Sequence, residues 1–113
     1  MKNKYSISVL MSVYNEPLDW LKQSIDSILN QSFNDYEFII INDNPNRMNT
    51  KNILRAYRDK DTRIVLLENP CNIGLTKSLN KGLKIAKGKY IARMDADDIS
   101  VLNRLKIQYN YME

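Results

Sequence analysis

Histidine is absent from this 113-residue chain, and cysteine occurs once, as Cys71. Without imidazole there is no histidine general base, no Ser-His-Asp triad and no His-ligated zinc. A lone thiol closes no internal disulfide, which points to a reducing cytoplasm. Nothing in the sequence around Cys71 activates it. Any metal is then a hard cation held by oxygen. Glycine and proline number three each, so there is no glycine-rich phosphate loop and no Pro/Gly-rich linker. No apolar run approaches the roughly 20 residues of a membrane span. The opening stretch "MKNKYSISVLMSVYNE" has a basic tip, but Ser6, Ser8 and Ser12 interrupt its apolar residues and no small-residue cleavage site follows. It reads as a strand, not a signal peptide.

What is present is ordinary for a globular protein: 43% hydrophobic and 27% charged residues, with 17 Lys+Arg against 13 Asp+Glu for a net charge of +4. That length supports one domain over 1–113 with a core of its own. The mild positive charge is compatible with an anionic ligand or a membrane surface.

Element types alternate along the chain. Ile7, Val9, Met11 and Val13 recur at period two, as in a strand. After Pro17, suited to a first helical turn, Leu18, Leu21, Ile25, Ile28 and Leu29 recur at helical spacing. "YEFIII", Tyr36 to Ile41, is apolar nearly throughout, as in a strand covered on both faces. A weaker helix is expected near Thr50 to Arg58 and a short strand at Ile64 to Leu67. In the next helix Leu75, Leu79, Leu83 and Ala86 form a stripe opposite Lys77, Lys81, Lys84 and Lys87, and Gly88 sits where a C-terminal cap is expected. A strand from Tyr90 to Met94 and an amphipathic segment from about Val101, carrying Leu102, Leu105 and Tyr109, complete the series. Alternating strands and helices predict an α/β, Rossmann-like nucleotide-binding architecture, a mostly parallel sheet with helices on both faces.

Ligands of open α/β sheets bind beyond the carboxyl ends of the strands. Those ends read "YNE" (Tyr14, Asn15, Glu16), "NDN" (Asn42, Asp43, Asn44), "ENPCNIG" and "DADD". Carboxylates from separate strands therefore gather on one edge. Dinucleotide and P-loop readings fail because the turn after the first strand, "YNEPLDW", holds no glycine to let amides approach phosphate. A metal would have to replace that cradle. In an extended segment Asp95 and Asp97 project to the same side, where one can hold Mg²⁺ or Mn²⁺ and the other a hydroxyl. Each piece also has an ordinary explanation. Asp97 and Asp98 suit a cap of the last helix, Asp43 a turn before Pro45, Tyr14 a half-buried strand end, and the lysines a solvated face with Lys77 nearest an anion site. A phospho-receiver reading would need an acidic pair after the first strand, where only Glu16 stands.

Two long stretches, "ISVLMSVYNEPLDWLKQSIDSILNQSFNDYEFIIINDN" and "NIGLTKSLNKGLKIAKGKYIARMDADD", resemble the N-terminal, nucleotide-sugar-binding half of family 2 inverting glycosyltransferases of the GT-A fold. The resemblance runs from about Ser6 to Leu105. It implies a nucleotide-diphosphate-sugar donor, usually UDP-linked, and Mn²⁺ or Mg²⁺. Tyr14 would lie against the base, Ser12 and Val13 line its pocket, and Asn15 and Glu16 stand at the rim. Asp43 would contact base or ribose, with Asn72, Gly74 and Lys77 flanking the donor. Asp95, followed by Ala96, would bind the ribose and support the metal, with Asp97 as its principal ligand and Asp98 capping or orienting. Asn42 and Asn44 depart from the Asp and Gly common in the family, and Leu102 from a common Pro. The implied partners are a UDP-sugar and a carbohydrate or lipid-linked acceptor, as in polysaccharide biosynthesis, and no nucleic acid. The implied location is the cytoplasm or the inner face of the membrane.

An inverting transfer also needs a general base, and after Asp98 the sole acid is Glu113. The base and the acceptor site are expected beyond residue 113. The chain then reads as a donor-binding half, incomplete for catalysis, that self-associates through its uncovered sheet edge. The alternative is a non-catalytic binding or interaction module of the same fold.

Overall fold

The computed structural model describes residues 4–98, 100 and 102–113. Four strands alternate with four helices: β1 (Tyr5–Val13), α1 (Leu18–Leu29), β2 (Tyr36–Asn42), α2 (Met48–Lys60), β3 (Ile64–Glu68), α3 (Leu75–Ile85), β4 (Gly88–Arg93) and α4 (Arg104–Met112). The strands form one sheet in the order β3-β2-β1-β4, every pair parallel. β1 and β2 are central, and their residues explain why. All seven residues of β2 are buried, as an apolar, β-branched run covered on both sides must be.

The period-two reading of β1 holds. Ile7, Val9, Met11 and Val13 share one core with Phe38 and Ile40 of β2, closed by Leu21, Ile25 and Ile28 of α1, Leu54 of α2 and Leu105 of α4. On the opposite face Leu10, Ile39 and Ile41 meet Leu79 and Ala86. Helices thus cover both faces, α3 alone on the second.

The seating of α3 differs from the expected leucine stripe. Leu75 and Leu83 are about half exposed, and the buried positions are Ser78 and Gly82. A Cβ on Gly82 would meet Leu10 and Ile41 side-chain carbons at 3.1 Å. The helix therefore approaches the sheet closely on its small residues, with Leu79 and Ala86 partly buried against the core while Leu75 and Leu83 stay half exposed. Gly88 is also not a helix cap. α3 ends at Ile85 with Ala86 as its cap, and Gly88 opens β4. A Cβ there would stand 2.4 Å from the Ser8 nitrogen and 2.5 Å from the Ile7 carbonyl carbon. Only glycine lets β4 start against β1, and its N–H donates to Ser8 Oγ at 2.8 Å. The final helix begins at Arg104. Leu105 is fully buried and Tyr109 partly so, but Leu102 lies exposed before the helix. Val101, where that segment was expected to start, is outside the described residues.

The buried Glu37 ties the opposite end of the sheet together. Its carboxylate accepts from Ser8 Oγ at 2.6 Å and from the Lys87 amide at 2.5 Å. Nearby, Arg63 donates to Asp61, to the Leu29 carbonyl and to the Tyr36 hydroxyl, and stacks 5.1 Å above the Tyr36 ring. Burial pushes the Tyr36 phenol up to about 12.

Candidate functional site

The strand order dictates where a ligand binds. From β1 the chain winds outward to β2 and β3, then crosses back to place β4 on the other side of β1. That reversal opens a crevice between the carboxyl ends of β1 and β4. In the parallel register Leu10 lies opposite Arg93, and Val13 opposite Asn42. One step further Asp43 follows Asn42 level with Tyr14, and Asp95 leaves the end of β4 just past Met94. The amide of Met94 donates to Leu10 O at 2.9 Å, and that of Asp43 to Val13 O at 2.8 Å. The strand-end residues singled out in the sequence thus share one edge.

On the β1 side, Ser12 is partly buried, Val13 fully buried, and Asn15 exposed. Tyr14 is 49% exposed, so its ring keeps a free apolar surface. Glu16 bends back to accept from the Tyr14 amide at 2.8 Å. Asn44, noted in the sequence only as a departure from the family, and Arg47, absent from the sequence reading, brace this segment. Asn44 Nδ2 donates to Tyr14 O at 3.0 Å, and Arg47 to Glu16 O at 2.6 Å.

On the β4 side, Asp95, Asp97 and Asp98 are exposed, while Ala96 is buried between them. The segment is a turn and not an extended strand, closed by the Asp98 amide on Asp95 O at 3.1 Å. The turn, not strand alternation, gathers the carboxylates: one oxygen from each of the three lies within 4.8 Å of the others. Three carboxylate oxygens at that spacing match the all-oxygen donor set of a hard divalent cation. Asp95 is also 3.4 Å from Arg93, an exposed pair of little strength. Asp97 and Asp98 do not cap the last helix. It starts six residues after Asp98, with Asn103 at the capping position.

Between β2 and α3 lies the most densely hydrogen-bonded part of the edge. Asp43 is 2% exposed. Its Oδ1 accepts from Asn69 Nδ2 at 2.9 Å and the Ile73 amide at 2.8 Å; its Oδ2 accepts from Asn72 Nδ2 at 2.8 Å and the Gly74 amide at 3.0 Å. Burial alone would raise this carboxyl, but these bonds outweigh it and the pKa is lowered. Gly74, at φ 92°, takes a conformation open to glycine that aims its amide inward at the start of α3. Asn69 is buried, shares Nδ2 with Ser78 Oγ at 3.1 Å, and accepts from Lys81 at 2.8 Å. Lys81 is thus bonded and not simply solvated, and Lys77 is exposed in the first turn of α3. The sequence singled out Asp43, Asn72 and Gly74 but missed Asn69, whose only signal was the asparagine-rich "ENPCNIG".

The site is an open edge. Two cavities lie elsewhere, about 450 Å³ between β4 and α4 and about 550 Å³ between α1 and α2.

The family model described as Glycosyl transferase family 2 matches residues 8–113. The chain belongs to this family. An uncharacterized glycosyltransferase of Methanocaldococcus jannaschii is 49% identical over 111 residues, covering 98% of this chain and 38% of its own length. The O-antigen biosynthesis glycosyltransferase WbnJ of Escherichia coli is 39% identical over 107 residues, 94% of this chain and 41% of that protein. The chain therefore spans about two fifths of these family 2 relatives. In three dimensions it is similar to S. aureus TarS 1-349 in complex with UDP-GlcNAc, with TM-score 0.83, 24% identity, and coverage of 95% of this chain and 31% of that one. The mannosyltransferase PcManGT of Pyrobaculum calidifontis, solved with GDP-Man and Mn²⁺, gives TM-score 0.74 at 20% identity, covering 88% and 29%. These likenesses establish the GT-A type of fold.

Proposed function

We propose that the chain is the donor-binding part of a glycosyltransferase that takes a nucleotide-diphosphate sugar, UDP-linked, with a divalent cation, and passes the sugar to an acceptor hydroxyl with inversion. The observation that carries this reading is the Asp95–Asp98 turn. It presents three exposed carboxylates across the β1/β4 crevice from the half-exposed ring of Tyr14. Asp97 and Asp95 would hold Mn²⁺ or Mg²⁺, with Asp98 adjoining. Bound there, such a cation supplies positive charge for the leaving diphosphate. Tyr14 offers a stacking face to the base, Ser12 lies beneath it with Val13 packed in the core below, and Asn15 and Glu16 form its rim. Asp43 meets the base or ribose beside them, with Asn72, Gly74 and Lys77 on the flank. Asp95, next to Ala96, also faces the ribose.

The same reading assigns the general base to sequence outside this chain. Glu113, the sole acid after Asp98, is bound to Lys89 at 2.7 Å and accepts from the Tyr90 hydroxyl. Lys89 first, then Tyr90, lower its pKa, opposite to the shift a base poised near neutrality needs. We therefore read residues 1–113 as one donor-binding unit whose acceptor half lies in additional sequence. Polysaccharide assembly on the cytoplasmic side of a membrane suits the lone cysteine and the net charge. No helix among the described residues is long and apolar enough to cross a membrane.

A second reading, an interaction module of the same fold, draws on the β4 side. Ile91, Ile107 and Met112 are each 44% exposed or more around an apolar cavity. Such a surface favours a partner, including a second copy of this chain.

Mn²⁺ titration of the ¹⁵N-labelled chain tests the first reading. Paramagnetic broadening centred on the amides of Asp95, Ala96, Asp97 and Asp98 supports it. Broadening spread evenly over the surface acids, Glu68 and Asp59 included, counts against it.

A further inference from the structure

A carboxylate offers about four acceptor directions, and in Asp43 four N–H donors take two on each oxygen. If the base, of the two groups the proposed function sets against Asp43, presents an N–H to it, one of the four must leave. They are not equally easy to release. Asn69 is 2% exposed, and its other atoms are committed to Asn42 O, Ser78 and Lys81. The Ile73 and Gly74 amides belong to the backbone that begins α3, and moving either shifts the helix start. Asn72 differs. It is exposed, and both hydrogen bonds the structure gives its carboxamide go to Asp43, one to Oδ2 at 2.8 Å and a weaker one to the carbonyl at 3.3 Å.

We infer that the Asn72 carboxamide stands in for the nucleobase, holding one acceptor position of Asp43 until a ring N–H displaces it. The exchange is donor for donor, so the buried charge stays satisfied throughout. Its selectivity follows from the chemistry. A base with a ring imide or lactam N–H, such as uracil, restores the bond that Asn72 gives up. A base methylated at that nitrogen does not, and it leaves a buried acceptor short. Asn72 then acts as a built-in competitor for Asp43, where its place in the sequence suggested only a flank.

The inference rests on the reading that Asp43 faces the base, and the test separates the two. Calorimetry with Mn²⁺ compares UDP and its 3-methyluridine analogue on the native chain and on Asn72→Ala. The variant has no competitor to displace, while water takes the vacant place, so UDP should bind about three- to tenfold tighter. The methylated analogue should gain nothing. On the native chain, UDP should shift the Asn72 side-chain NH₂ signals while the Ile73 and Gly74 amides remain protected from exchange. Equal weakening of both nucleotides in Asn72→Ala, or unmoved Asn72 side-chain signals at saturating UDP, overturns the exchange alone. Absence of UDP binding by the native chain overturns the proposed function and the exchange together.

Discussion

Replacing Asp43 by Asn changes one atom type in the best-connected part of the molecule, and its consequence can be worked through. The carboxamide keeps one oxygen, which can serve two of the four donors. Its NH₂ group turns a donor toward the other two, whichever way it is flipped. Two charge-assisted hydrogen bonds are lost, each worth about 1.5–3 kcal/mol net. The start of α3 also loses the anion that complements its dipole, about 0.5–1 kcal/mol. Against this, the neutral side chain escapes the cost of burying a charge, which favours the lower end of the sum. The expected loss is about 3 kcal/mol, a large share of the roughly 5–15 kcal/mol that holds a domain together.

Urea unfolding followed by far-UV circular dichroism measures this directly. At an m value of about 1.5 kcal/mol/M the midpoint should fall by about 2 M with little change in slope. The pH dependence adds an independent check. Asp43 has a lowered pKa in the folded chain, so its contribution is fully present above the unfolded carboxylate pKa, about 4. It is lost as pH falls through the lower folded value. The gap between native and variant should therefore be constant near neutrality and shrink below about pH 4. Asp61, also lowered, by its bond to Arg63, titrates in both proteins and cancels. A loss under about 0.5 kcal/mol at pH 7, or a gap that widens in acid, would refute the reasoning.

Gly88→Ala forces the β1 backbone to move, because the contacts at 2.4 and 2.5 Å are to main-chain atoms. It should lower Tm by about 10 °C or more, corresponding to 2–3 kcal/mol, read by scanning calorimetry. Arg55→Ala removes two parallel bonds to Glu68, each at 3.0 Å, but Arg55 is 46% exposed. Urea unfolding should show a loss of no more than about 1 kcal/mol. Ile107→Glu places a charge on the apolar surface beside β4. Light scattering should show less self-association than in the native chain, and an unchanged mass distribution would remove that surface from consideration.

Much of this fold was legible because its strands are simple. Period two in Ile7 to Val13 and the unbroken apolar run of Tyr36 to Ile41 each have one structural solution. The seating of α3 was not legible. Leucines at helical spacing usually mark the buried face, and periodicity has no way to register that Gly82 and Ser78 make the close contact and leave Leu75 and Leu83 half exposed. Gly88 misled for a related reason: a glycine after a helix suits a cap, and only the neighbouring strand shows what a Cβ would strike. At the site, the carboxylates stood out as residue types at strand ends. Their relations did not. The sequence reads Asp95 to Asp98 as extended, where a local turn gathers the carboxylates; that Asn69, Asn72, Ile73 and Gly74 converge on Asp43 depends on contacts across about 30 residues of chain. Such contacts leave no local pattern.

The central claim is that this edge binds a nucleotide diphosphate through a cation held by Asp97. Calorimetric titration of the native chain with UDP, with Mn²⁺ present and then absent, repeated on Asp97→Ala, addresses it most directly. The account predicts a Kd of about 1 µM to 1 mM, the range of ordinary enzyme substrates, only when native protein and metal are both present. Asp97 is exposed, so the variant should keep the native unfolding curve. Equal heats from native and variant protein, or UDP binding indifferent to Mn²⁺, would contradict it.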